Sequence, residues 1–294
     1  MNATLSVIAA AVFGLFATGP TPRPAAEHHV LFDDFAYSRP EQLARRGWIV
    51  RTAAGWPGIP GAKWGSAGLS FLAGSLQLNA VTDGTAANTR QVQICHQRKY
   101  GSGTYAARIR FTDRAADQVV QAFYMIAPLR EPMAPEYSEL DFEYLPKGGW
   151  GNVGPTLFAT TWETFSPEPN WKADNVHEAR SRSYAGWRTL VVQVGDGKVR
   201  YFVDGARFAE HSGNGYPESL MSINFNVWFI RSGLAPAGQP RQYEQQIDWV
   251  FYEADNIVSP SEVEAAVAAF RKKSIAFRDT VAAPVPPLES PCNL

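Results

Sequence analysis

The chain has 294 residues, of which 27 are basic and 28 acidic, so its formal net charge is −1. This balance excludes the strongly basic surface by which proteins bind nucleic acid or an anionic membrane. Aromatic residues make up 13% of the chain. That excess suits a carbohydrate binder, because sugar rings offer apolar C–H faces for stacking, but buried aromatic side chains of a β-rich core explain it equally well.

An apolar run from Leu5 to Ala17 is followed by a Pro-rich stretch that ends at Pro24. The run is too short to cross a bilayer comfortably and matches the hydrophobic region of a signal peptide. We therefore expect residues 1–26 to be a signal peptide and Pro-rich leader. The mature protein would then be secreted and free of the membrane, and an uncleaved N-terminal anchor is the alternative.

Short segments of alternating polarity, separated by Gly, Asn, Asp and Pro, follow from about residue 30. Between residues 188 and 211, two Asp-Gly turns separate alternating strands, which is a strong hairpin pattern. Many strands at regular spacing predict an all-β sandwich or barrel, which we place at residues 27–258. Within it, residues 147–183 offer only short strand candidates among loops.

The C-terminal residues 259–294 are predicted to form a helix and an extended, Pro-rich tail. Ser259 is the expected N-cap, with Pro260 at the first helical position and Glu262 as its capping-box partner. An apolar stripe at helical spacing indicates a surface helix docked on the sandwich. The stripe consists of Val263, Val267, Phe270 and Phe277.

The chain contains two cysteines, Cys95 and Cys292. Secretion would permit a disulfide that ties the tail to a strand, and two unpaired buried thiols are the alternative. Two cysteines without a clustered set of histidines offer no zinc site, so no metal ligand is predicted from them.

The sequence E-L-D-F-E at residues 139–143 places three carboxylates at alternate positions. Successive side chains of a β-strand point to opposite faces, so Glu139, Asp141 and Glu143 would share one face. Leu140 and Phe142 would point the other way, into a core. Three neighbouring like charges repel one another, so stability gives no reason to assemble them. The pattern therefore predicts a functional strand, with a solvated polar face as the alternative.

Cleavage of a glycosidic bond commonly uses two carboxyl groups, one ionised and one protonated. Clustered carboxyls share protons and their pKa values spread apart, so Asp141 between the two glutamates would help to provide an acid and a base at one pH. Positions four apart on an extended strand have Cα atoms about 13 Å apart. Retaining enzymes hold their two carboxyl groups about 5–5.5 Å apart, so the residues alone leave the stereochemical course open. Calcium binding is a competing use, but the EF-hand spacing is absent.

The stretch ELDFEYLP resembles the active-site motif of glycoside hydrolase family 16, which includes lichenases, laminarinases, carrageenases and xyloglucan transglycosylases. Further segments are similar to that family in the same order, over roughly residues 30–253. They are KYGSGTYAARIRF (Lys99–Phe111), WRTLVVQV and VRYFVDG (within Trp187–Gly205), INFNVWF (Ile223–Phe229) and QIDWVFYE (Gln246–Glu253).

The resemblance implies a concanavalin A-like β-jelly-roll sandwich with a concave, sugar-binding cleft. It implies a retaining mechanism in which Glu139 is the nucleophile, Glu143 the acid/base and Asp141 an assisting group. Asn226 and Trp228 match the cleft pair of the family. Tyr124 and Trp162 are candidates for sugar stacking by their position in the chain.

The expected activity is that of a secreted, endo-acting glycoside hydrolase that cleaves a β-linked, β-glucan-like polysaccharide. No cofactor is expected, although some members of the family hold a structural calcium. A polysaccharide is the only expected partner, and we expect a monomer. A transglycosylase or a non-catalytic, lectin-like module on the same fold are the alternatives, and the polysaccharide and its linkage stay open.

Overall fold

Two mainly antiparallel β-sheets, which in the described residues are joined at one edge into a continuous 17-stranded sheet, pack against each other and enclose a core of aromatic and aliphatic side chains. The computed structural model describes residues 28–289 together with Met1 and Cys292. Apart from Met1, the predicted signal peptide and leader lie outside the described residues. Among the described residues, no helix is long and apolar enough to cross a membrane.

In chain order the elements are β1 Val30–Asp33, α1 Glu41–Arg45, β2 Trp48–Val50, β3 Lys63–Trp64, a 3-10 helix Ser66–Gly68, β4 Leu69–Leu72, β5 Ser75–Thr82, β6 Arg90–His96, β7 Gly103–Phe111, β8 Val119–Ala127, β9 Ser138–Leu145, β10 Gly148–Gly149, β11 Asn152–Val153, β12 Thr156–Ser166, β13 Lys172–Ser181, β14 Gly186–Gly195, β15 Lys198–Val203, β16 Ala206–Ser212, β17 Ser222–Phe229, β18 Arg241–Ala254, α2 Pro260–Lys272 and β19 Phe277–Asp279.

The first sheet, here called the carboxylate sheet, has the strand order β2-β6-β17-β8-β9-β12-β13. The second, called the helix-side sheet, has the order β4-β5-β18-β7-β14-β15-β16. Strand β1 pairs with the last part of β18 and also with β19. The predicted all-β jelly-roll sandwich is thereby confirmed.

The core between the sheets is built from one face of each strand. Leu140, Phe142 and Tyr144 of β9 are fully buried there, as the alternating pattern predicted. The ring of Phe142 packs edge-on against Tyr201 of β15, with centroids 5.3 Å apart. The carboxylates of β9 consequently lie on the opposite face of the sheet, which is called the outer face below.

The C-terminal helix forms as predicted, with a complete capping box between Ser259 and Glu262. Val263 and Val267 are buried against the helix-side sheet, and Phe270 stacks on Phe32 with centroids 4.8 Å apart. The prediction for Phe277 was wrong, because α2 ends at Lys272 and Phe277 begins strand β19. The tail therefore adds a short strand to the sandwich before it continues to Cys292.

Residues 147–183 contain two long strands, β12 and β13, so the prediction of short strands among loops was wrong. Strand β13 is an edge strand whose side chains are mostly exposed, so it lacks the alternation by which a half-buried strand is recognised. Its charged side chains are typical of an edge that must not pair with another chain.

A disulfide joins Cys95 of β6 to Cys292, which settles the alternative that the sequence left open. Both cysteines are fully buried. The tail is therefore fixed covalently to the carboxylate sheet.

Candidate active site

The three carboxylates lie on the outer face of β9, between strands β8 and β12. Asp141, the middle one, is directly opposite Tyr124 of β8 and Thr160 of β12. Only 4% of Asp141 is exposed, whereas Glu139 and Glu143 are partly exposed. The cluster is thus accessible at its two glutamates and closed at its aspartate.

Hydrogen bonds orient two of the three carboxyl groups. The hydroxyl of Tyr137 donates to Oε2 of Glu139. The indole Nε1 of Trp162 donates to Oδ2 of Asp141 over 2.8 Å. Asp141 also shares a hydrogen bond with Glu139. Glu139 is therefore held from two sides, by Tyr137 and by Asp141.

Burial is the main reason that all three carboxyl groups hold their protons more tightly than usual. It raises the pKa of Glu139 to about 7, against the opposing hydrogen bonds from Tyr137 and Asp141. Burial, followed by the charge of Glu139, raises the pKa of Glu143 to about 8. Burial and then the charges of both glutamates raise the pKa of Asp141 well above its usual value. Because donors stabilise its anion, Glu139 is the group best prepared to ionise, while Glu143 and Asp141 keep protons.

These raised pKa values should make the folded protein less stable as the pH rises. Between the ordinary value of 4.5 and about 8, the folded state retains a proton on Glu143 that the unfolded state has lost. Replacing Glu143 by glutamine removes that penalty. We expect the Tm of Glu143→Gln to exceed that of the wild type at about pH 8 by more than it does at about pH 5.

Thermal unfolding of both proteins at the two pH values measures this difference. The matched control is Glu178→Gln, which changes an exposed glutamate on the neighbouring edge strand β13. A Tm difference for Glu143→Gln that stays constant with pH would show that Glu143 titrates normally in the folded protein.

The other predicted site residues lie on the same outer face. Asn226 of β17 is opposite Ala122 of β8, which is two residues before Tyr124 and lies on the same face of that strand. Its Oδ1 atom is buried and has no hydrogen-bond partner among the described residues. Trp228 is two positions further along β17 and is almost fully buried. Trp162 is opposite Glu139, where its indole serves as a hydrogen-bond donor to Asp141.

Sequence reasoning missed two residues of this region, Tyr137 and Trp56, and considered Trp171 only as a loop tryptophan of a kind that often binds ligands. Tyr137 could have been found, because it continues the alternation of Glu139 and Asp141 by one more step towards the N-terminus. Trp56 and Trp171 lie in loops, where no periodicity connects them to β9. Within the described part of the chain, no group of three or more His, Cys, Asp or Glu side chains is arranged to hold a metal ion.

No protein-family profile matches the chain, and no curated protein matches it in sequence. Solved structures do match it. The β-glucanase of Bacillus licheniformis is 13% identical, with a TM-score of 0.57, and the match covers 76% of this chain and 97% of that one. The kappa-carrageenase of Pseudoalteromonas carrageenovora, solved with an oligotetrasaccharide of kappa-carrageenan, is 16% identical, with a TM-score of 0.56 and coverage of 80% and 99%.

A third match is the GH16 protein of the mixed-linkage glucan locus of Bacteroides ovatus, solved with the product G4G4G3G. It is 13% identical, with a TM-score of 0.57, and the match covers 74% of this chain and 98% of that one. These matches extend over nearly the whole length of the glycoside hydrolases concerned. The chain therefore has the fold of glycoside hydrolase family 16.

Proposed function

We propose that the protein is a secreted, endo-acting glycoside hydrolase that cleaves a β-linked, β-glucan-like polysaccharide with retention of configuration. The observation that carries this proposal is the row of three carboxyl groups on the outer face of β9, all with raised pKa values and two of them, Glu139 and Asp141, held by hydrogen-bond donors. Such a row repels itself and weakens the fold, so a catalytic role explains it better than a structural one. The fold shared with polysaccharide hydrolases supports the same conclusion.

In the first step, the carboxylate of Glu139 attacks the anomeric carbon and forms a glycosyl ester. Glu143 donates its proton to the oxygen of the leaving sugar as the glycosidic bond breaks. In the second step, Glu143 removes a proton from a water molecule, which attacks the ester and releases Glu139. Two displacements at one carbon return the original configuration.

Asp141 and Tyr137 prepare Glu139 for this attack. A protonated Asp141, held by the indole of Trp162, can donate a hydrogen bond to Glu139 and so stabilise its ionised form. Tyr137 donates a second hydrogen bond to the same carboxylate. Both keep Glu139 ionised beside a protonated Glu143, which is the distribution of protons that the mechanism requires.

Asn226, Trp228 and Tyr124 are proposed to bind the sugar on the β17 side of the carboxylates. The unpartnered Oδ1 of Asn226 can accept a hydrogen bond from a sugar hydroxyl. On the β12 side, Trp162 is proposed to contact the sugar by its ring while its indole nitrogen holds Asp141.

We also propose that residues 1–26 direct secretion and are removed, that residues 27–258 form the hydrolase domain, that residues 259–294 complete it, and that the protein acts as a monomer.

The test is hydrolysis of a panel of β-glucans and galactans by the purified protein, followed by NMR of the first products. Retention predicts that the newly formed reducing ends have the β configuration before mutarotation. New ends of α configuration would contradict the mechanism. Lengthening of labelled acceptors in preference to hydrolysis would indicate a transglycosylase. Tight binding of oligosaccharides by calorimetry, without cleavage of any member of the panel, would indicate a lectin.

A further inference from the structure

Four tryptophan rings form a continuous series over the outer face of the carboxylate sheet. The centroids of Trp228 and Trp56 are 6.1 Å apart, those of Trp56 and Trp171 are 6.4 Å apart, and those of Trp171 and Trp162 are 6.3 Å apart. The two ends of the series, Trp228 and Trp162, belong to strands β17 and β12. The two central rings belong to loops.

The series crosses above the strand that carries the carboxylates. Strands β8 and β9 lie between β17 and β12, so the end strands are three interstrand spacings apart, about 14 Å. Trp56 lies in the loop between β2 and β3, and Trp171 lies in the turn between β12 and β13. Neither residue belongs to the sheet, so the ring contacts that connect Trp228 to Trp162 across β8 and β9 are made by two loop residues. We call Trp56 and Trp171 the tryptophan arch.

Both sides of the arch are anchored to the protein. Arg51 donates from Nη2 to the carbonyl oxygen of Trp56 over 2.9 Å and from Nη1 to Oε1 of Gln93 over 3.1 Å. Its guanidinium also lies 4.1 Å from the centroid of the Trp64 ring. On the other side, Trp171 packs on Phe165 of β12, with centroids 5.8 Å apart. The arch is therefore a built feature of the cleft.

The two arch residues nevertheless expose a large part of their surface, 62% for Trp56 and 48% for Trp171. An indole exposed beside a sugar-binding face offers an apolar surface on which a sugar ring can stack. Of the other large aromatic residues of this face, Trp228 and Tyr124 are almost fully buried, whereas Trp150, whose ring centroid is 6.4 Å from that of Trp228, is 48% exposed. The arch and Trp150 thus supply accessible aromatic surface, and of these only the arch connects Trp228 to Trp162.

We propose that the tryptophan arch encloses the glycan over Glu139, Asp141 and Glu143 and so restricts the substrate to unbranched chains. This proposal rests on the proposed function. A linear chain can lie between the sheet and the arch, with one ring face towards each. A side branch on a sugar beneath the arch would have to occupy the space of the indoles, so a branched backbone is excluded by shape.

The experiment compares kcat/KM on a linear β-glucan with kcat/KM on a glucan of the same backbone linkage that carries single-glucose branches. The wild type should prefer the linear glucan by about tenfold or more, the scale of discrimination by shape. In Trp56→Ala, Trp171→Ala and especially the double variant, this ratio should fall towards unity, because cleavage of the branched glucan increases. The control Trp187→Ala changes a tryptophan of the helix-side sheet and should leave the ratio unchanged.

A gain of activity on the branched glucan cannot result from damage to the fold, so it separates the proposal from a structural role of the arch. An equal preference of the wild type for both glucans, or an unchanged ratio in the double variant, would overturn the proposal. In either case cleavage of the linear glucan would still support the proposed function.

A binding measurement covers the case in which no glucan is cleaved. In the Glu139→Gln background, titration calorimetry with a linear gluco-oligosaccharide should show affinity that falls by about tenfold when Trp56 and Trp171 are both replaced by alanine, the loss typical of an interface aromatic. Unchanged affinity would overturn the arch as a sugar-binding element, whether or not the protein hydrolyses any substrate.

Discussion

Replacing Glu143 by alanine should lower kcat/KM on a natural β-glycan by about 10²–10⁴-fold, the usual contribution of a general acid. An aryl glycoside with a good leaving group needs no proton donor, so its first step should be affected far less. Its second step should then be slow, because no base activates the water. Added azide should restore turnover and give a β-glycosyl azide, since azide attacks the glycosyl ester of Glu139 from the face that water would use.

Replacing Glu139 by alanine should abolish activity more completely, because no ester can form. Azide can then only occupy the space of the missing carboxylate and should give the α-glycosyl azide. The two products, identified by NMR, therefore distinguish the two roles. Glu178→Ala, on the exposed edge strand, serves as the control and should behave as the wild type. An α-azide from the Glu143 variant would mean that the two roles are reversed.

Loss of the Cys95–Cys292 disulfide should be among the most destabilising changes outside the core. The bond joins residues separated by 197 positions, so its removal frees a very long loop in the unfolded chain. Loss of a native disulfide typically costs about 2–5 kcal/mol. We expect Cys95→Ser/Cys292→Ser to show a corresponding decrease in the free energy of unfolding, measured by guanidinium titration.

The same titration of the wild type after reduction should match the double variant, because both lack the crosslink and keep all other contacts. Cys292→Ser alone should be at least as unstable, since it leaves a buried, unpaired thiol at Cys95. A double variant with the stability of the oxidised wild type would show that the tail contributes nothing through its covalent link.

Sequence periodicity correctly predicted the strands that have one face buried in the core and the other face outside it. The alternation of residues 139–143 placed Leu140 and Phe142 in the core and the carboxylates outside, as the structure has them. The same rule failed for β13, because an edge strand with two polar faces has no alternation to detect. It also could not place Phe277, which follows the helical spacing of α2 although the helix has already ended.

The candidate site divides in the same way. The sequence alone predicted that Glu139, Asp141 and Glu143 lie together. They belong to one strand, in which the rise per residue is constant and successive side chains alternate between the two faces. The hydrogen bond from Trp162 to Asp141 depends on the register between β12 and β9, which no local pattern specifies. The approach of Trp56 to Trp171 depends on the course of two loops that are far apart in the chain. Contacts of this kind arise from the complete sandwich and cannot be deduced from its segments.

Strand β1 lies between β18 and β19, so the first strand of the sandwich finds both of its neighbours among the last. During synthesis, one edge of Val30–Asp33 must wait for residues 250–253 and the other for residues 277–279 before both edges of this strand are paired. Contacts so distant in sequence are slow to form, and an apolar strand that waits is exposed to pairing with other chains. Strand β1 is thus synthesised early but needs partner strands that are synthesised late. This favours completion of the fold after the whole polypeptide has been released.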